Sequence, residues 1–363
     1  PQQHPRRRLR SMGDVMLNLL KDLIRLPGLS GHERPAQERI QAAWEPLVDE
    51  LSLSPIGSLH ALKRGSGEAP RPSVLVATHM DAIGMMVSML DHGLLRVAEI
   101  GGLEPRVLPG QPVTVHGRRD LPGLLVQPPA HALPAEDRKG PVAVKYLMVD
   151  IGLPPGQVAR LVRPGDLVSF AQEPFEQGED RLVGHSLDNR ASVAALTACL
   201  LELQQRTHLW DLWAVATAQE EETLGGALTS AFALRPTVAV AVDVTWARAP
   251  GLPEHRTFPL GDGPTNAWGP NIHPGVHQAL KEAAGRVEVP LALEPLPAHS
   301  GTDAFALQIA GEGIPTGVLG IPLLNMHTAV EAVSIADIRR TGRLLAEFVA
   351  GLSADFLQTL TLD

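Results

Sequence analysis

The sequence predicts an α/β protein, a mixed sheet covered by helices, into which a small β-rich domain is inserted. Three observations predict it. In the outer segments short apolar strands alternate with amphipathic helices; between about Gly84 and Asp180 helices nearly vanish; and the apolar strands of the outer segments run into histidine, aspartate or glutamate. Apolar strands interleaved with helices belong to sheets covered on both faces. At 363 residues the chain is too long for one small domain. The change of texture divides it into a flexible arm at residues 1–14, an α/β part at 15–83 with 181–363, and the insertion at 84–180.

Taken in order, Met16, Leu19, Leu20, Leu23 and Ile24 recur at helical spacing, and "HERPAQERIQAAWEPLVDEL" reads as a second amphipathic helix. "SVLVATHMD" is a β-rich run that stops at polar residues. In the insertion "LLRVAEI", "PVTVHG", "GLLVQ" and "DLVSF" are short strands separated by Gly and Pro turns, and "HALPAEDRKGP" reads as an exposed loop. Beyond it come "ASVAALTACLLELQQR" (helix), "LWAVATA" and "TVAVAVDV" (strands), "PGVHQALKEAAGRV" (helix), "PTGVLGI" (strand) and "SIADIRRTGRLLAEFVAGLSADFL" (helix).

Composition excludes several classes. With 44% hydrophobic and 20% charged residues the chain is globular rather than disordered, and a net charge of −9 disfavours nucleic acid as partner. The single cysteine, Cys199, rules out an internal disulfide and a cysteine zinc cage, and points to a reducing compartment. The basic start "PQQHPRRRLR" leads into an apolar stretch broken by Lys21 and Asp22, which is not an export signal. No apolar run reaches the roughly 18 residues of a membrane span. A cytoplasmic location is expected.

The polar residues at the strand ends carry the chemistry. "SVLVATHMD" delivers His79 and Asp81, "LWAVATAQEEE" delivers Glu220, Glu221 and Glu222, "TVAVAVDVT" delivers Asp243, "GHSLDNR" places Asp188 before a helix, and "PTGVLGIPLLNMHT" carries His327. Ligands of open α/β sheets bind outside the carboxyl ends of the strands, so these distant residues can converge. A mixed set of histidines and carboxylates suits zinc, cobalt or manganese. A catalytic zinc usually takes three protein groups, so five ligands suit two ions with one shared carboxylate. Charge agrees, since three carboxylates and one bridging hydroxide neutralise two dications. A further carboxylate could then act as general base. The plainer alternatives are a helix-capping Asp188, a turn-forming Asp243 and a solvated glutamate run.

The motifs "THMDAIG", "PGLLVQPPAH", "VDIGL", "RPGDLVSF", "SLDNR", "TAQEE", "VDVT", "SGTDA" and "MHTAVE" follow one another in order. From about Met16 to Phe356 the chain resembles the dinuclear-metal glutamyl, deblocking or tetrahedral aminopeptidases, some of whose members carry the label cellulase M. Carried over residue by residue, the resemblance implies that His79 and Asp243 bind one metal, Glu221 and His327 the other, and Asp188 both. It implies Glu220 as general base and Asp81 as the residue that orients His79. It further implies two divalent ions per subunit, a zinc-peptidase-like domain with a PDZ-like or β-barrel insertion, short peptides as substrates, and a homo-oligomer, either a tetrahedral dodecamer or its dimer building block.

Departures from the family pattern are Ala82, Arg248, Ala249, Leu323, Leu324, Asn325 and Ala329; none removes a ligand, and they bear on substrate preference. Glu222 is expected to face solvent. Asp303 has no assigned role, and His116, His131 and His185 are expected to be surface or structural. The expected reaction is metal-dependent hydrolysis of the N-terminal peptide bond. A related deacylase or carboxypeptidase, and a non-catalytic metal-stabilised oligomer, are the alternatives. Glycan cleavage is disfavoured, because metal ligands do not supply a carboxylic acid pair flanking a sugar bond.

Overall fold

The first helix, α1 (Pro5–Leu23), is held by the apolar stripe read from the sequence: Met16, Leu19, Leu20, Leu23 and Ile24 are at most 1% exposed. The computed structural model describes residues 5–361, with side chains from Gly13 onward. Of the arm expected at 1–14, the first four residues lie outside the described residues, and α1 already begins within it. The second helix, α2 (Arg34–Trp44), is shorter than its amphipathic stretch predicts. Pro46 cannot donate the next helical hydrogen bond, so residues 45–47 tighten into a 3₁₀ turn and the "EL" beyond it enters a strand.

That strand, β1 (Glu50–Leu53), is followed by β2 (Leu59–Lys63) and β3 (Ser73–His79). The insertion contains β4 (Gly84–Asp91), β5 (Leu94–Ile100), β6 (Pro112–His116), β7 (Asp120–Val126), β8 (Met148–Asp150), α3 (Pro155–Leu161) and β9 (Leu167–Phe170). Its strands close an antiparallel barrel in the order β4-β5-β8-β7-β6-β9, filled by Met85, Val97, Val115, Leu125, Val149 and Val168. The remainder is β10 (Phe175–Gln177), β11 (Arg181–Gly184), α4 (Leu187–Leu203), β12 (Asp211–Thr217), α5 (Glu220–Thr223), α6 (Gly225–Leu234) and β13 (Val238–Trp246). It continues with β14 (Thr265–Trp268), α7 (Pro274–Arg286), β15 (Ala292–Pro295), α8 (Asp303–Gln308), β16 (Thr316–Leu324), β17 (Glu331–Ser334) and α9 (Ile335–Gly351).

The outer segments, joined by β10 from the last residues assigned to the insertion, share one 11-stranded mixed sheet with the path β1-β2-β12-β3-β13-β16-β17-β11-β10, and β14 and β15 branch from β16. Its centre is parallel: β12 with β3, β3 with β13, and β13 with β16. These strands are apolar on both sides because both sides are covered. Val74 and Val76 of β3 face Leu196 of α4, Leu280 of α7 and Leu345 of α9 in one core layer. The alternate residues, Leu75 and Ala77, join Ala227 and Ala231 of α6 and Leu307 of α8 in the other. Among the described residues no helix is long and apolar enough to cross a membrane.

One close approach fixes the loop after β12. Gly226 donates its N–H to the Ala218 carbonyl at 3.0 Å, and a Cβ at Gly226 would overlap the backbone of Ala218. Gly226→Ala is therefore expected to destabilise the protein by about 1–3 kcal/mol, read as a lower denaturation midpoint at unchanged m-value. An unchanged midpoint would show that this turn yields.

Candidate metal centre

The parallel block delivers its polar residues to one edge. His79 ends β3 opposite Thr217 of β12, and Asp243 of β13 sits two residues beyond the last registered pair, Ala241 with Ala77, level with His79. Glu220 and Glu221, the first two of three glutamates in α5, enter shortly after β12, behind Gln219, which takes a left-handed conformation (φ 59°). His327 also has a positive φ, 63°, in the connection from β16 to β17. Such conformations are uncommon for residues other than glycine and turn the chain abruptly.

Asp188 lies in the first turn of α4, but its carboxylate does not cap that helix. One oxygen is 3.1 Å from His79 Nε2 and the other 3.4 Å from His327 Nε2. The rest of "LDNR" anchors it. Asn189 donates its amide to the Val242 carbonyl at 2.9 Å, next to Asp243. The buried guanidinium of Arg190 donates to the carbonyls of Leu23 and Leu26 and, at 3.3 Å, to that of Met80, between His79 and Asp81. The motif thus fixes Asp188 against the two strands that carry the other groups.

His79, Asp81, Asp188, Glu220, Glu221, Asp243 and His327 meet here. His79 Nε2 is 3.7 Å from Asp243 and 3.8 Å from Glu220, and His327 Nε2 is 3.7 Å from Glu221. Ligand atoms of His79, Glu220 and Asp243 lie within 4.8 Å of one another, as do those of His79, Asp188 and Glu221. Asp81 lies beside His79 and also reaches the glutamates. Its Oδ1 is 3.4 Å from His79 Nδ1, while its two oxygens accept the backbone N–H groups of Glu220 at 3.0 Å and Glu221 at 3.1 Å. Asp81 therefore sets the position of both glutamates.

Three supporting carboxylates carried no assignment from the sequence. Glu331, fully buried, accepts the backbone N–H of Asp188 at 3.1 Å and of His327 at 3.0 Å. Glu33 accepts the N–H of Gln219 at 3.0 Å. Asp303, at the start of α8, accepts the Thr217 hydroxyl at 2.5 Å, and burial pushes its carboxyl up to about 6. Glu331 and Asp303 belong to the quoted motifs "MHTAVE" and "SGTDA", which was the available signal. Glu222 is exposed and accepts the Gly101 N–H of the barrel at 2.6 Å. His116 staples barrel strands through Ser169 and Asp120, His185 packs edge-on to Phe170, and His131 is exposed.

The electrostatics are those of a cation site. Burial pushes the carboxyls of Glu221 and Asp243 up to about 8, with the charge of Asp188 adding to both, and burial raises Glu220 further above its usual range. Burial also acts against the charge of Asp188, but hydrogen bonds from His327 and His79 hold its carboxyl well below the usual range. The only cationic groups within ion-pair distance of these four carboxylates, among the described residues, are the two imidazoles. One buried oxygen of Glu221 has no hydrogen-bond partner. Crowded, desolvated carboxylates of this kind are stable as anions only beside a strong positive charge. The mixed N/O donor set fits a divalent ion.

A cavity of about 1080 Å³ opens onto these groups, walled by Trp246, Phe258, Leu296, Phe305 and Met326. Ala82, Arg248, Leu323, Leu324 and Asn325 do not line it. Ala82 and Leu323 are buried in the backbone pairing of Leu29 and in β16.

The model of the M42 glutamyl aminopeptidases matches residues 57–344. The chain belongs to this family. A lysyl aminopeptidase of Pyrococcus furiosus is 36% identical over 334 residues, covering 90% of this chain and 94% of that one. The TET aminopeptidase of Thaumarchaeota archaeon SCGC AB-539-E09 superposes with a TM-score of 0.90 at 28% identity, covering 96% of this chain and 99% of that one. The TET1 peptidase of Pyrococcus horikoshii, which can assemble into a tetrahedron or a large octahedral shell, has a TM-score of 0.80 at 26% identity, covering 93% and 100%. As an M42 peptidase the chain is a hydrolase, an aminopeptidase, and the donor set matches the divalent-metal dependence expected of that family.

Proposed function

We propose that this M42 aminopeptidase hydrolyses the N-terminal bond of short peptides at a dinuclear centre. His79 and Asp243 would hold one ion, Glu221 and His327 the other, and Asp188 both. The observation that carries this reading is Asp188, whose two oxygens each face a different histidine. When bound, divalent ions polarise the scissile carbonyl and lower the pKa of water from 15.7 to about 7. Glu220 takes the proton of the attacking water on its carboxylate and returns it to the leaving amine. Asp81 holds the Glu220 backbone so that the carboxylate stays aimed at the reacting water. The apolar walls exclude bulk water, and the cavity accepts the chain end rather than a folded polypeptide.

Zinc or cobalt is the proposed metal, with manganese also compatible with the donors. The proposal includes a division into catalytic residues 15–83 with 181–363 and an inserted domain at 84–180, supported by the barrel spanning β4 to β9. It includes assembly into a tetrahedral dodecamer or its dimer, supported by the TET relatives. It also includes a cytoplasmic location, supported by the single cysteine, which leaves no internal disulfide.

Chelation is expected to abolish hydrolysis of chromogenic amino-acid amides, and adding back zinc, cobalt or manganese singly is expected to restore it at two ions per chain. Full activity in a preparation proven free of metal would refute the centre. Faster cleavage of N-acyl or C-terminal substrates than of free-amine amides would favour a deacylase or carboxypeptidase.

A further inference from the structure

A carboxylate outside the metal centre stands inside the same cavity. Glu294 of β15 lines it, half-buried. One oxygen accepts the Thr245 hydroxyl at 2.6 Å and the other the Thr265 hydroxyl at 2.5 Å. No lysine, arginine or histidine pairs with it among the described residues. Two neutral hydroxyls orient the group without neutralising it, and each carboxylate oxygen keeps room for a further donor.

Its place is set by the sheet. Thr245 lies two residues beyond Asp243 on β13, so both project from one face. Gly320 of β16 is registered opposite Asp243, and Thr265 opposite Gly320. A Cβ on Gly320 would come within 3.0 Å of the Glu294 carboxylate, so glycine there leaves the space through which Glu294 faces the cavity. Two residues of strand span about 6–7 Å, so Thr245, which holds one Glu294 oxygen, is displaced along the strand from Asp243 by about the reach of a four-carbon side chain. Trp246, Phe258 and Leu296 supply apolar wall for such a stem. The basic side chains of the cavity outside the metal centre, Arg256, His255 and His299, are exposed.

Resting on the aminopeptidase reading, we infer that Glu294 is a specificity residue that binds the cationic side chain of an N-terminal lysine or arginine. The test compares kcat/KM on lysyl, arginyl, leucyl and glutamyl p-nitroanilides for the metal-loaded wild type and for Glu294→Gln. Wild type is expected to prefer the two basic substrates. In the variant the lysyl-to-leucyl ratio should fall about tenfold or more, the scale of a lost charge-assisted hydrogen bond. Glu294→Lys should reverse the lysyl-to-glutamyl preference. An unchanged ratio, a wild-type preference for glutamyl substrate, or a loss equal on all four substrates would overturn the assignment, the last marking a role toward the α-amine or the fold. Turnover of lysyl and arginyl substrates that does not depend on Glu294, with leucyl turnover intact, refutes this inference alone. Absence of turnover on every free-amine substrate refutes the aminopeptidase reading and this inference with it.

Discussion

Replacing Glu220 by glutamine is expected to leave metal content at the wild-type level while lowering kcat by about 10²–10⁴-fold, the usual contribution of a positioned acid–base group. Glutamine keeps the shape of the side chain and the backbone N–H held by Asp81, but it cannot accept a proton. The structure makes the experiment decisive, because Glu220 stands at ligand spacing from His79 and Asp243 as well. If Glu220 is a ligand instead, elemental analysis of the variant should show one ion missing. If turnover matches wild type, the general-base role is wrong. Burial, with Asp243 and Asp303 adding to it and His79 opposing, raises the carboxyl well above its ordinary range, which is the direction a proton-accepting group at neutral pH requires.

The second large effect falls on Asp188. Asp188→Ala is expected to bind fewer than two ions per chain and to lose more activity than the roughly 10–100-fold typical of residues that merely support a ligand. The same carboxylate faces both histidines, so its removal weakens both halves of the site at once. Metal should raise the melting temperature of wild type, since an ion that binds only the folded state stabilises it by mass action. In the variant that increment should shrink. Two ions bound at wild-type affinity, measured by titration with elemental analysis, would remove Asp188 from the bridging position.

Much of this was legible in the sequence because parallel strands buried on both faces leave near-continuous apolar runs, and the runs ending at His79, the glutamates and Asp243 share one edge. Asp188 and His327 count with the strand-end residues in the sequence, although Asp188 opens a helix and His327 follows β16 by three residues. What stayed hidden has a common cause. Glu331, Glu33 and, toward the glutamates, Asp81 act on backbone N–H groups far away in the chain, and a backbone donor carries no residue-type signature. The short strands β14 and β15 and the brief helix α8 lie below the length at which periodicity speaks. The early end of α2 was readable from Pro46, but the amphipathic pattern ran through it.

Two hydrogen bonds tie the barrel to the catalytic half beside the candidate metal ligands. Gly101 donates to Glu222, the neighbour of Glu221, and Glu104 donates its backbone N–H to the His327 carbonyl at 3.2 Å. Both fasteners come from one short stretch of chain after β5. A tilt of the barrel would therefore tug on Glu221 and His327 together, spreading or closing one half of the centre while His79 and Asp243, rooted in the sheet, stay put. A contact on the insertion that tilted the barrel would by this route change the spacing between Glu221 and His327.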